Sequence, residues 1–322
     1  MVELSVVVPV YNCDGCLRAL HRRLTETLAE LGVSYELVLV DDRSGDGSWQ
    51  TIVELASQDP ALKAIRLSRN FGQHAAMTAG LDAADGKWTV VMDCDLQDPP
   101  ELIPQLYAEA RDGRELVLAR RVARPHSLFR RLMARAYFKL LNVFLGTDLD
   151  GEYGSFSILS EKVRRAFLEI KDKDRQYLAI LFWLGFERGS IDYEPAERYA
   201  GPSSYTLSGL IVHALNGVFF QTTTLLRWIV YFGFALATAG VALAIALIAY
   251  AIFASPLPGW TSLSVLILLV GGFIVVSTGV TGLYIGRIFR QVKDRPLYVV
   301  DTALAGEAAR ERELTHATRT GE

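Results

Sequence analysis

Two aspartates one residue apart, Asp93 and Asp95, have the spacing and side chains of a site for a divalent cation. They follow the apolar segment 87–92, which predicts a buried strand that ends at the first carboxylate. Carboxylate oxygens suit Mg²⁺ or Mn²⁺, and a cation held there could also bind a diphosphate. A turn that merely caps the strand is the alternative, because aspartates are common in turns. We treat both residues as candidate metal ligands and catalytic residues.

A second acidic pair, Asp41 and Asp42, follows another predicted strand. The apolar patterns predict strands at 4–10, 35–40, 62–67, 88–92 and 116–119, separated by helices that include 17–31, 49–57 and 74–84. This alternation predicts an α/β fold with a mostly parallel sheet, in which ligands bind at the carboxyl ends of the strands. Both acidic pairs fall at that edge. The chain has no glycine-rich dinucleotide fingerprint and no P-loop motif.

A long stretch without charge indicates a membrane anchor. Residues 228–286 contain no Asp, Glu, Lys, Arg or His. A turn-forming segment at 255–260 divides them into runs 228–253 and 263–285, of about 26 and 23 residues, each able to cross a core of roughly 30 Å. We predict a two-helix transmembrane hairpin over 226–286. Two buried core helices are the disfavoured alternative.

The flanks of this stretch predict its orientation. Arg227 precedes it, and Arg287, Arg290, Lys293 and Arg295 follow it, whereas the loop between the runs has no charge. The positive-inside rule therefore places both ends in the cytoplasm, and no signal peptide is predicted at the start. The expected organisation is a cytoplasmic catalytic domain over 1–204, an interfacial helix or simple connector over 205–225, the hairpin, and a cytoplasmic segment over 287–322. Its charged end, from residue 301, is expected to be weakly ordered.

Composition excludes some classes of protein. The net charge of −3 and the pI near 6.0 give no indication of nucleic-acid binding. Three cysteines in a cytoplasmic domain predict no disulfide framework. Cys13 and Cys16 form a Cys-x-x-Cys motif, for which a redox pair or half a zinc site is less favoured than two small residues at the start of a helix.

Several motifs together resemble a known family. Segments 7–12, 40–48, 69–74 and 93–101 are similar to the ordered motifs of inverting family 2 glycosyltransferases with a GT-A fold. Segments 197–205, 284–288 and 292–298 narrow the resemblance to polyisoprenyl-phosphate glycosyltransferases, which include bactoprenol glucosyltransferases, undecaprenyl-phosphate formamidoarabinose transferases and dolichyl-phosphate mannose synthases. The resemblance implies a GT-A catalytic domain, a nucleotide-sugar donor, a polyprenyl phosphate acceptor and a homo-oligomer, by family a tetramer, in the bacterial inner membrane.

The resemblance also assigns expected roles. Asp95, helped by Asp93, would hold Mg²⁺ or Mn²⁺ on the donor diphosphate. Residues expected at the nucleotide-sugar are Pro9, Tyr11, Asn12, Asp41, Asp42, Asp93, Gln97 and Arg198. Asp41 and Asp42 are expected to accept hydrogen bonds from the base or ribose, and Pro9 and Tyr11 to flank the base. Residues expected at the acceptor phosphate are Arg121, Arg124, Arg130 and Arg131, the last two having a headgroup-facing helix as the alternative. A phosphate is itself a nucleophile near neutral pH, so Glu152 or Asp150 is expected only to position groups or stabilise charge.

The expected reaction is inverting transfer from a nucleotide-sugar, favoured as UDP-glucose or another UDP-hexose, to undecaprenyl or another polyprenyl phosphate, for cell-envelope glycans. Transfer of 4-deoxy-4-formamido-arabinose or mannose is the alternative. A processive polysaccharide synthase is disfavoured, because five residues separate Gln221 from Arg227 where such enzymes have Gln-x-x-Arg-Trp. A non-catalytic, membrane-anchored nucleotide-sugar-binding protein is also disfavoured, because both candidate metal ligands are present.

Overall fold

A computed structural model describes residues 2–122, 153–196, 224–253 and 260–304. The described chain falls into two compact units. The first contains the sheet, including the described residues 296–304, and the second contains two long helices. Each unit is described by itself.

The first unit is built on an eight-stranded sheet in the order β7-β5-β6-β4-β1-β2-β3-β8. The strands are β1 Leu4–Val10, β2 Tyr35–Asp41, β3 Leu62–Leu67, β4 Trp88–Val91, β5 Leu116–Arg121, β6 Tyr153–Ser160, β7 Arg188–Tyr193 and β8 Val300–Leu304. β6 and β8 run antiparallel to their neighbours, and the other pairs are parallel. The predicted mostly parallel α/β sheet is confirmed.

Helices cover both faces of the sheet. They are α1 Asp14–Leu31, α2 Ser48–Gln58, α3 Gln73–Ala83, α4 Ile103–Arg111, α5 Glu161–Glu169 and α6 Tyr177–Leu184, with a 3₁₀ turn at Pro100–Leu102. In α1, Leu17, Leu20, Leu24 and Leu28 recur at helical spacing and are buried against one face of the sheet. The helix ends at Gly32, whose φ of 69° is the left-handed conformation that favours glycine.

All seven residues of β1 are buried, which explains why its sequence is apolar apart from Ser5 and does not alternate with polar residues. Alternate residues point to opposite faces, so Val6 and Val8 join the core under α1 while Val7 joins the core under α3. Gly80 allows α3 to approach this strand closely, because a Cβ there would lie 2.3 Å from a methyl of Val7. The central strands are therefore fixed in position, and so are the loops at their carboxyl ends.

The second unit contains α7, Thr224–Phe253, and α8, Trp260–Val292. The rings of Phe232 and Phe273 pack with their centroids 5.1 Å apart. Among the described residues, Val270–Val292 is long and apolar enough to cross a membrane. Its mean hydropathy is 1.4, and none of its residues in the apolar window is buried within the protein. The two-helix hairpin stays a prediction, because only this one stretch of the described residues meets the criterion, and it does so by length and composition alone.

The first residues of the charged C-terminal segment differ from expectation. The segment from residue 301 was predicted to be weakly ordered, yet Val300–Leu304 forms β8, which pairs with β3 at the edge of the sheet. Residues 305–322 lie outside the described part of the chain. Arg43 Nη1 donates to Asp301 Oδ2 at 2.9 Å, and Tyr298 OH donates to Asp82 Oδ2 at 2.9 Å. Backbone pairing and the contacts of Asp301 and Tyr298 bind residues 298–304 to the sheet domain, and composition alone gives no sign of these distant partners.

Candidate active site at the carboxyl ends of the strands

The two aspartates of the Asp-Cys-Asp motif lie just beyond the carboxyl end of β4. Asp93 Oδ1 accepts hydrogen bonds from Ser155 Oγ at 2.8 Å and from Gln73 Nε2 at 2.7 Å. Asp95 Oδ1 accepts the backbone N–H of Gln97 at 3.2 Å, which closes a short turn. The first carboxylate is thus held by side chains from β6 and α3, and the second by its own loop.

The electrostatics around Asp93 favour a cation. Burial raises the pKa of Asp93 to about 6, and repulsion from Asp98 and Asp95 adds to this effect. The hydrogen bond from Ser155 and the charge of Arg121 act in the opposite direction. Nearby positive charge would stabilise the ionised carboxylate, as a bound divalent ion does.

The second acidic pair, at the end of β2, is buried and bound within the protein. Asp41 accepts the N–H of Ser44 at 3.1 Å and Nε of Arg66 at 3.1 Å. Asp42 accepts the N–H groups of Phe71 and Gly72 at 2.7 and 2.8 Å, and burial raises its pKa despite these two donors. Both carboxylates shape the loop, and their contact with a base or ribose stays a prediction.

The residues after β1 adjoin this loop. Pro9 is buried in the strand, whereas Tyr11 beyond it is 53% exposed and presents its ring to solvent. Asn12 has a φ of 51°, and its Oδ1 accepts the N–H of Gly45 at 2.8 Å. Its own N–H donates to Ser44 Oγ at 3.0 Å. Tyr11 is thus the more accessible of the two residues predicted to flank the base, and its contact with a base stays a prediction.

A third set of polar residues consists of Arg121, Asp98 and Tyr193, of which only Arg121 was predicted as a site residue. Arg121, at the end of β5, donates through Nη2 to Asp98 Oδ1 at 2.9 Å and through Nε to the hydroxyl of Tyr193 at 2.9 Å. The Tyr193 hydroxyl also donates to Asp98, which is fully buried. Burial alone would lower the pKa of Arg121, but the charge of Asp98 raises it instead. Arg121 is thus a paired cation, and sequence reasoning missed its partners.

Six predicted site residues lie outside the described part of the chain: Asp150, Glu152, Arg198, Arg124, Arg130 and Arg131. Their roles stay predictions. Gln97 is described, and its carbonyl accepts the N–H of Ala196 at 3.0 Å, which ties the loop after β4 to the chain beyond β7.

The Cys-x-x-Cys motif belongs to the hydrophobic core of the sheet domain. Cys13 and Cys16 are buried at the start of α1, and Cys13 Sγ donates to the carbonyl of Cys94 at 3.2 Å. This contact and burial raise the pKa of the Cys13 thiol, which makes it a poor nucleophile and metal ligand.

Comparison with known proteins identifies the family. The model of the glycosyl transferase family 2 matches residues 5–168, which contain β1 to β6 and both acidic pairs. The chain belongs to glycosyl transferase family 2.

Full-length relatives of this family 2 glycosyltransferase support the predicted resemblance. An uncharacterised glycosyltransferase of Bacillus subtilis, YkcC, is 34% identical over 96% of each chain. The SfII prophage-derived bactoprenol glucosyl transferase of Shigella flexneri is 33% identical over 95% of this chain and 99% of its own. A prophage bactoprenol glucosyl transferase homolog of Escherichia coli K12 is 32% identical over 93% of this chain and 98% of its own.

Among solved structures, Staphylococcus aureus TarS with UDP-GlcNAc is 20% identical over 68% of this chain and 66% of its own, with a TM-score of 0.45.

A divalent cation fits the residues of the glycosyltransferase site. Among the described residues, no group of three or more His, Cys, Asp or Glu side chains could hold a metal by itself. Mg²⁺ and its relatives are commonly bound by one or two carboxylates together with substrate phosphates, which matches Asp93 and Asp95 beside a diphosphate. Burial, together with the neighbouring carboxylates of Asp98 and Asp95, raises the pKa of Asp93, and a bound divalent ion would favour its ionised form.

Removing Arg121 should destabilise the protein as well as impair the site. Arg121→Ala leaves the buried Asp98 carboxylate without its ion pair, a change that typically costs about 3–5 kcal/mol. We expect the melting temperature of the detergent-solubilised protein to fall by several degrees. Asp98→Asn in the same variant should recover most of the loss, because the unpaired charge is then removed.

The adjacent arginine offers a matched control. Arg120 pairs with Asp192, and both side chains are more than a third exposed, so Arg120→Ala should leave the melting temperature nearly unchanged. Equal melting temperatures for the two alanine variants would contradict the structural role of the Arg121 pair.

Proposed function

We propose that this glycosyltransferase transfers a sugar with inversion from a nucleotide-sugar, UDP-glucose or another UDP-hexose, to undecaprenyl or another polyprenyl phosphate. The observation that carries the proposal is the pair Asp93 and Asp95 at the end of β4, beside the Asp42 loop of β2. Full-length similarity to bactoprenol glucosyl transferases supports the lipid acceptor and the glucosyl donor.

The reaction joins a phosphate oxygen of the lipid to the anomeric carbon, while the bond from that carbon to the nucleoside diphosphate breaks. The lipid monophosphate is already a nucleophile near neutral pH, so no strong general base is required. A cation held by Asp93 and Asp95 would neutralise charge on the leaving diphosphate. Tyr11 stacks on the base, and the loop held by Asp41 and Asp42 orients the nucleotide.

The path of the chain supports a location at the cytoplasmic membrane face. β8 follows α8 yet pairs with β3, so the chain leaves the sheet domain before α7 and returns to it after α8. Catalytic domain and C-terminal strand then share one side of the membrane, and the Arg and Lys residues after the second apolar run favour the cytoplasm. The homotetramer implied by the family resemblance stays a prediction.

Transfer assays with purified full-length protein test this function. We expect radiolabel from UDP-glucose to appear in an organic-soluble product only when polyprenyl phosphate and Mg²⁺ or Mn²⁺ are present. GDP-mannose and the UDP-linked formamidoarabinose, tested in parallel, examine the alternative donors. A labelled lipid formed only from one of these would correct the sugar, whereas nucleotide-sugar binding without turnover for any donor would favour the non-catalytic alternative.

A further inference from the structure

The side chain of Gln73 supports the candidate metal ligand Asp93 directly. Its Nε2 lies 2.7 Å from Asp93 Oδ1, and because an ionised carboxylate only accepts hydrogen bonds, the amide must present its nitrogen there. Ser155 Oγ donates to the same oxygen at 2.8 Å. Among the described residues, both side-chain donors to Asp93 contact Oδ1, so Oδ2 is the oxygen they leave for a cation.

The position of Gln73 is itself fixed by the other acidic loop. Gln73 is the first residue of α3, and the two residues before it, Phe71 and Gly72, donate their N–H groups to the two oxygens of Asp42. Gly72 has a φ of 94°, a conformation that residues with a side chain rarely adopt. Segment 71–73 therefore connects the loop after β2 to the carboxylate after β4.

We propose that Gln73 is a positioning residue for Asp93, which holds Oδ1 so that Oδ2 faces the divalent cation. The proposal rests on the metal-dependent transfer proposed above. Gln73 contacts the carboxylate, and it acts on the cation only through Asp93. Hydrogen bonds that orient metal ligands typically contribute 10–100-fold to metal affinity, so about that loss is expected when the amide is removed.

The test measures Mn²⁺ binding to the full-length protein in detergent with saturating UDP, by the electron paramagnetic resonance signal of free Mn²⁺. Gln73→Met keeps a side chain of similar length without a donor, and the dissociation constant for Mn²⁺ should rise about 10–100-fold. The affinity for UDP without metal should stay unchanged, whereas a general disturbance of the site would lower it as well. Gln50→Met, the same change on the exposed face of α2, should alter neither value.

Gln73 is exposed, so its replacement should leave the melting temperature unaltered, and Gln73→Ala provides a second variant with the same expected loss. Normal Mn²⁺ affinity in both folded variants would overturn the role of Gln73 and leave the proposed function intact. A wild-type protein that binds no Mn²⁺ with UDP would overturn the metal-dependent function and this inference together.

Discussion

Asp95→Asn is expected to abolish sugar transfer, with a loss of at least about 10³-fold, while folding and membrane insertion stay intact. The substitution keeps the size of the side chain and removes a charged ligand from the candidate cation site after β4. Charge stabilisation by a metal supplies several kcal/mol to the transition state, and each 1.36 kcal/mol corresponds to tenfold in rate. Radiolabelled transfer to polyprenyl phosphate measures the loss directly.

Asp112→Asn is the matched control, because Asp112 is exposed at the end of α4, before the amino end of β5 and away from the acidic pairs. It should leave transfer unchanged. Binding of UDP with and without Mn²⁺ provides a second readout, since Asp95→Asn should remove the metal-dependent part alone. Near wild-type turnover of Asp95→Asn at saturating metal would exclude Asp95 from the metal role.

The central sheet could be predicted because its strands are buried on both faces. Every residue of β1 and all but the first of β2 are buried, so each strand is mostly apolar, with Ser5 in β1 and Glu36 in β2 as the polar residues before the strand end. Helix α1 could be predicted equally well from the spacing of its buried leucines. The carboxyl ends of parallel strands share one edge, and this rule placed both acidic pairs in one region before any contact was known.

The remaining features depend on contacts between distant parts of the chain. β8 pairs with a strand more than 230 residues earlier, and its Asp301 is bound to Arg43, so local composition gives no signal for it. The resemblance flagged segment 69–74, but only the folded loops show that Gln73 donates to Asp93. Arg121 was predicted to be a site residue, but its ion pair with Asp98 depends on how the loop after β4 packs against β5, which the sequence does not indicate.

The pairing of β8 constrains how the chain can cross a membrane. The sheet domain contains strands from both before and after α7 and α8, so the chain between residues 196 and 296 must cross an even number of times. Crossing by Val270–Val292 alone would give an odd number. If α8 spans the bilayer, a second crossing is needed, and the 30 residues of α7, about 45 Å long at 1.5 Å per residue, are sufficient to provide it.

Cysteine labelling in intact spheroplasts tests this topology, in a background without Cys13, Cys16 and Cys94. The Ser255→Cys variant, in the charge-free loop between α7 and α8, should react with an impermeant maleimide from outside. The Ala303→Cys variant, at an exposed position of β8, should react only after permeabilisation. If Ser255→Cys also requires permeabilisation, the helices do not cross and the hairpin is wrong. If Ala303→Cys reacts from outside, β8 and the catalytic sheet lie away from the cytoplasmic supply of nucleotide-sugar, which would overturn the proposed reaction as well.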